Sequence, residues 1–117
     1  MIGETWLQPM RRGFGELCVL IVLSRGESYG YELLARIRQL ETLSFSESTL
    51  YPMLSKMAGA GLLKTREAPS ERGKKRRYYA LTRQGEARLE DLLEQWNQLQ
   101  DAIGTLIEME GGQNGEV

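Results

Sequence analysis

The chain has 117 residues, a formal net charge of −1, 41% hydrophobic and 26% charged residues, the mix of one soluble globular domain with its own core. It contains no histidine and one cysteine, Cys18, which excludes an internal disulfide, His-based acid–base chemistry, catalytic triads and most zinc sites. No apolar run approaches the roughly 20 residues that span a bilayer, and without a signal-type apolar stretch the expected compartment is the cytoplasm, with no membrane partner.

Residues 1–12 are expected to form an N-terminal arm or helix that Pro9 bends or delays. Leu17 to Leu23 is apolar at every position, which fits a buried helix or a buried strand. Extended to Phe14–Ser24 it favours a core helix that holds Cys18 as a small buried thiol and ends at the glycine turn of "SRGES". A second helix is expected near Ser28, its N-cap, with Leu33, Leu34, Ile37 and Leu40 on one apolar face. Gly30, between Tyr29 and Tyr31, is expected to allow close packing against the first helix. After "ETLSFSES" a third helix begins, with Ser46 or Ser48 as N-cap. With Ser46 in that place, Phe45 and Leu50 form a hydrophobic staple. Leu50, Leu54 and Met57 make the inward stripe, Pro52 removes one hydrogen bond, and Gly59 and Gly61 mark the end.

"LLKTRE" and "RRYYALT" then read as two strands around the turn-rich "APSERGKK". Between Lys64 and Arg83 eight bases face only Glu67 and Glu71, a local charge of +6, whereas from Gly85 onward eight acids face Arg88 alone. Such segregation suits an anionic partner at one end and a different contact at the other. With Thr82 as N-cap, a last long helix carries Leu89, Leu92, Trp96, Leu99, Ile103 and Leu106 at alternating steps of 3 and 4, an a/d seam widened by Leu93 and Ile107 and weakened by Gly104.

The expected fold is mainly α (α+β): a winged helix-turn-helix over 13–82 with a two-stranded wing, a C-terminal helix over 83–110, and a disordered tail at 111–117. In that arrangement the third helix is the one placed for the DNA major groove.

The motifs "RRGFGELCVLIVL", "SYGYEL", "STLYPMLSKM", "GLL" and "RRYYALTRQG" resemble, in order and spacing, those of PadR-type transcriptional regulators, and the likeness runs from Trp6 to Ile107. The single C-terminal helix resembles the small subclass. The resemblance implies a cytoplasmic winged-helix homodimer that binds a near-palindromic operator in double-stranded DNA, usually as a repressor. It also implies dimerisation through the last helix, often with the N-terminal one, and in some relatives release by a phenolic or planar aromatic effector. Ser48 stands where the family commonly has glycine, and Ala58 where an acid is frequent. Both lie near the DNA-facing element, so a relative's operator does not transfer.

The candidate DNA contacts are Ser46, Ser48, Thr49, Tyr51 and Lys56 on the third helix and Arg72, Lys74, Lys75, Arg76 and Arg77 in the wing. Short hydroxyls at a helix start suit capping and phosphate contact alike. Tyr51 either reaches DNA or packs beside Pro52. The third helix has no Arg, Asn or Gln for bidentate base reading, so shape and the wing should carry more specificity. The wing bases suit phosphates, and an arginine at the tip suits the minor groove. Tyr78 and Tyr79 point to opposite faces of their strand, and at least one packs on the core. Leu89, Leu92, Trp96, Leu99, Ile103 and Leu106 are the expected dimer interface. Trp96 is a core knob there or, with Met10, Phe14 and Leu92, a wall for an aromatic effector. No catalytic residue, metal or cofactor is expected, and an enzyme is not the expected class. The alternative is a winged-helix module whose basic wing meets an acidic protein.

Overall fold

The computed structural model describes the backbone of residues 2–111 and the side chains of 9, 10 and 13–111. Helix α1 (Ile2–Leu23) is followed by a two-residue strand β1 (Ser28–Tyr29), helix α2 (Gly30–Arg38), a 3-10 turn (Glu41–Leu43) and helix α3 (Glu47–Gly59). Strands β2 (Leu63–Pro69) and β3 (Lys75–Leu81) form the wing, and helix α4 (Arg83–Gly111) closes the described chain. Among the described residues no helix is long and apolar enough to cross a membrane. The remainder of the expected disordered tail, 112–117, lies outside the described residues.

The core is built where the first three helices meet the root of the wing. Val19, Leu20 and Leu23 of α1, Leu33, Leu34 and Ile37 of α2, and Leu50, Leu54 and Met57 of α3 are buried together with Leu63 and Tyr79. Leu40 falls outside the apolar face of α2 and is exposed, because α2 ends at Arg38. α1 runs through Pro9 as one helix, so the N-terminal segment, expected as an arm or a helix, is continuous with the first core helix.

The sheet has three antiparallel strands in the order β1-β3-β2, not two. Ser28 pairs with Tyr79 and Tyr29 with Tyr78, while β2 and β3 run in register from Leu63 opposite Leu81 to Pro69 opposite Lys75. This changes the role of Ser28. It is a buried strand residue whose hydroxyl donates to Glu32 Oε1 at 2.6 Å, and the N-cap position of α2 belongs to Tyr29, which makes no side-chain cap.

Two junctions set the wing against the helices. α3 ends in a Schellman motif: the N–H groups of Gly61 and Leu62 donate to the carbonyls of Ala58 and Met57 at 3.0 Å each, and Gly61 takes the positive φ of +82° that this turn needs. At the start of α4, the Thr82 hydroxyl donates to the Gly61 carbonyl at 2.6 Å and accepts the Gly85 N–H at 3.0 Å. One side chain thus caps α4 and ties it to the end of α3.

α4 packs its first half on α1. Leu89 and Leu92 pack against the core, the Trp96 ring meets Phe14 edge-on at 5.2 Å, and Arg88 Nε donates to Glu16 Oε2 at 2.8 Å. Beyond Trp96 the helix leaves the body, and Leu99, Ile103 and Leu106 are 46%, 50% and 56% exposed.

Candidate nucleic-acid interface

The start of α3 is an exposed cluster of hydroxyls. Ser46 is the N-cap, and its Oγ accepts the Thr49 N–H at 3.3 Å. The same oxygen lies 2.8 Å from Ser48 Oγ and 3.2 Å from Thr49 Oγ1. Of the two residues that could cap, Ser46 does so, and Ser48 stays at the surface one position into the helix. The N–H groups of this first turn, partly capped by Ser46, face outward with the partial positive charge of a helix N-terminus.

The exposed face of α3 has two flanks. Ser48, Thr49 and Lys56 border a groove of about 900 Å³ against α1 and α4, where Met53 forms part of the floor and Glu16 and Arg88 part of the wall. Tyr51 lies on the other flank. Its ring covers Gly30, where an added Cβ would sit 2.5 Å from a ring carbon. Gly30 therefore makes room for α3, not for α1 as its neighbourhood in sequence suggests. Tyr51 remains 41% exposed, and partial burial, then the nearby Glu47 and Tyr79, push its pKa above the ordinary phenol value. It stays a neutral hydroxyl at physiological pH, able to donate.

In the wing, residues 70–74 form the turn, closed by the Ser70 N–H on the Lys74 carbonyl at 2.6 Å, with Gly73 at a φ of +83°. Arg72 and Lys74 are exposed in this turn and Lys75 begins β3. Alternation then divides the next four residues. Tyr79 turns inward and is 8% exposed, settling which tyrosine of the pair packs on the core. Arg77, on the same face, pairs with Glu67 at 3.7 Å, with both side chains more than half exposed. Arg76 and Tyr78 take the outer face, where they join a stack. The Arg76 guanidinium lies 4.1 Å from the Tyr29 ring, Tyr29 meets Tyr78 edge-on at 5.6 Å, and Arg66 lies 4.7 Å from Tyr78. Arg66 also grips Glu27, its Nε donating to Oε2 at 2.9 Å.

The ten sequence-predicted contacts thus fall into three groups. Tyr51, Arg76 and Arg77 line one groove; Ser46, Ser48, Thr49 and Lys56 lie at the N-terminal end and far flank of α3; Arg72, Lys74 and Lys75 occupy the wing tip. Sequence reasoning missed Tyr29, whose ring seats Arg76, and the Arg66–Glu27 pair that ties the wing to the segment before β1. A two-residue strand leaves no period to read. The signal that was present is the alternation that puts Arg76 and Tyr78 on one face.

The fold and these motifs match known proteins. The model of the transcriptional regulator PadR-like family matches residues 19–91. The chain belongs to the PadR-like family. Among its relatives, the transcriptional regulator YqjI of Escherichia coli is 38% identical over 95 residues, which cover 78% of this chain and 44% of that protein; the chain spans less than half of YqjI. The crystal structure of a PadR family transcriptional regulator from Eggerthella lenta superposes with a TM-score of 0.78 at 31% identity, over 98% of this chain and 93% of that one. Bacillus subtilis PadR, solved in complex with operator DNA, superposes with a TM-score of 0.63 at 28% identity over 67% of this chain and 44% of that one. The family and these neighbours are transcriptional regulators, not enzymes.

The candidate effector wall of this PadR-like chain has two sides. Phe14 and Trp96 stand between a recess of about 540 Å³, shared with Leu17, Leu92 and Leu99, and one of about 340 Å³, shared with Met10, Cys18 and Leu43. Met10 and Leu92 therefore lie on opposite sides of the same aromatic pair. Burial pushes the Cys18 thiol pKa up, so it remains unionised.

Proposed function

We propose that this chain is a homodimeric repressor that binds a near-palindromic operator through α3 and the wing, and that a planar aromatic or phenolic effector releases it. The observation that carries DNA binding is the exposed, hydroxyl-bearing start of α3 together with a wing of five exposed or half-exposed bases and no acid between Arg72 and Arg77, the two elements meeting where Tyr51 of α3 shares a groove with Arg76 and Arg77. A helix start and a cluster of guanidinium and ammonium groups are what the phosphates of a duplex bind. The operator complex of the B. subtilis neighbour supports the same reading.

Dimerisation is supported by the outer half of α4, whose Leu99, Ile103 and Leu106 stay about half exposed among the described residues. Such a repeat buries itself against a second helix. Effector binding is supported by the Phe14–Trp96 pair between its two apolar recesses.

The test is binding to duplexes selected from sheared genomic DNA, followed across salt. A dimer that neutralises about 6–10 phosphates loses about 10³–10⁵ in affinity between 50 and 200 mM salt. An affinity indifferent to salt would remove the wing from the interface, and no DNA binding at all would leave the wing to an acidic protein. Fluorescence of Trp96, with Trp6 replaced, should be quenched by planar aromatics; a silent response across a broad panel sinks the effector reading for Trp96.

A further inference from the structure

The short strand β1 gives the wing a support that its own two strands lack. Tyr29 of β1, Tyr78 of β3 and Arg66 of β2 stand directly opposite one another, so their side chains share one face. Arg66 and Tyr78 are the middle pair of the β2–β3 ladder, and Tyr29 with Tyr78 is the last pairing that β1 makes toward the tip. Beyond that row the wing is a bare hairpin, and a two-stranded hairpin is marginal in water.

Five side chains form a closed brace across this row. Glu27 accepts from Arg66 Nε at 2.9 Å, Arg66 lies 4.7 Å from the Tyr78 ring, Tyr78 meets Tyr29 edge-on at 5.6 Å, and Arg76 lies 4.1 Å from the Tyr29 ring. Both ends of the brace return to residues 27–29, the segment that runs straight into α2 at Gly30. The Arg66–Glu27 pair is exposed and adds little by itself, so the weight falls on Tyr29 and Arg76. Arg76 stands two residues beyond the last residue of β3 that β1 pairs, and its guanidinium turns back over Tyr29. Of the five wing bases it alone is half-buried, whereas Arg72, Lys74, Lys75 and Arg77 are exposed. Its cation is engaged within the chain.

We propose that Tyr29 and Arg76, with Tyr78, Arg66 and Glu27, are positioning residues that fix the pitch of the wing against α2, and that Arg76 is not one of the wing's phosphate contacts. The proposal rests on the DNA-binding reading above and divides its wing bases between two roles. Arg72, Lys74 and Lys75 meet the anion, and the brace behind them holds the tip at one pitch relative to the helices. When the brace is lost the wing samples other pitches, and apparent affinity falls with the fraction of chains in the competent one. The number of phosphates neutralised stays the same.

The two roles differ in the salt dependence of binding to a duplex selected against the full chain. Arg72→Gln removes a phosphate contact and should flatten the slope of log affinity against log salt by roughly 0.9. Tyr29→Leu and Arg76→Gln should each weaken binding about 3- to 10-fold, the scale of a cation–π contact, with the native slope. Together they should weaken it little more than either alone, because both break the same contact. Tyr29→Phe keeps the ring face and should bind as the native chain does. Stoichiometric titration separates these effects from a loss of folded protein and should give the native active fraction for every variant. A second measurement needs no DNA. With spin labels at Glu71→Cys in the wing turn and Arg36→Cys on α2, in a Cys18→Ala chain, the distance distribution should broaden in Tyr29→Leu and stay narrow in Tyr29→Phe. A slope flattened by about one in Arg76→Gln would make that residue a phosphate contact and overturn the proposal, leaving the DNA reading in place. Additive effects of Tyr29→Leu and Arg76→Gln, or a distance that does not broaden, would overturn it equally. A chain that binds no duplex loses the DNA reading and this role together.

Discussion

Thr82 and Gly85 show how few atoms decide where the wing and α4 meet. The Thr82 side chain bonds both the turn that ends α3 and the start of α4. Thr82→Ala should cost about 1–2 kcal/mol, the loss of a cap together with a partner for the Gly61 carbonyl, and Thr82→Ser should recover most of it in thermal melts. Gly85→Ala should cost more, because its Cβ would sit 2.2 Å from the Leu62 carbonyl oxygen. That atom is backbone at the root of β2, so relief requires moving α4. Equal melting temperatures for native and Gly85→Ala chains would show that the contact is not fixed. In sequence the "LT..G" spacing was legible as a helix start, but the reason for its glycine was not, because Leu62 approaches it from another element. A second residue-scale effect is electrostatic. The Arg66 hydrogen bond holds the Glu27 carboxyl below the ordinary carboxylate range. A depressed pKa stabilises above the unfolded value and is lost as pH falls through the folded one. Melting curves of the native chain and Glu27→Gln should therefore separate near neutral pH and converge in acid below the carboxylate range. A gap that does not change with pH would mean that the pair contributes only through packing.

At the scale of elements, α4 is one helix with two environments. In the sequence its 3–4 repeat reads as a single seam facing a second copy. In the structure Leu89 and Leu92 serve the chain's own core, Trp96 rests on Phe14, and Leu99, Ile103 and Leu106 stay about half exposed among the described residues. Periodicity reports that a face is apolar; it does not say which neighbour covers each part of it. Variants should divide accordingly. Leu106→Lys should drive the protein toward monomer in sedimentation equilibrium while leaving the far-ultraviolet spectrum of the fold. Leu89→Ala should lower the melting temperature, with a cost of about 2 kcal/mol, less than a fully buried leucine because the site is half-buried. A dimer that survives Leu106→Lys unchanged would move the interface to another face. β1 is the element that sequence could not offer. Two residues carry no alternation, and Ser28 reads as a helix cap because its hydroxyl suits either role. What distinguishes the roles is β3, which supplies the pairing partners Tyr78 and Tyr79 from 50 residues downstream.

The whole molecule is elongated, with a radius of gyration of 17.5 Å against the ~13 Å expected of a compact domain of this length. The excess comes from α4, whose acidic outer half projects away from a body that carries the basic wing. The near-neutral total charge therefore describes two opposed ends, and the acidic one disfavours contact with a duplex, which helps to orient the other. In a two-fold dimer joined along α4, each wing and α3 would be carried by a rigid body. The two α3 helices should then meet major grooves one turn apart, roughly 34 Å. This yields a prediction that single-site variants cannot make. Inserting about 5 bp between the half-sites of the selected operator turns the second half-site to the far side of the duplex. Affinity should fall to that of one half-site, and the salt dependence should fall with it, because half of the phosphate contacts are lost. Inserting about 10 bp restores the face but not the distance, so a rigid dimer recovers little. Full recovery at that spacing would mean that the two DNA-binding bodies move independently, with the half-buried Phe14–Trp96 contact between α1 and α4 as the place where such freedom would have to arise.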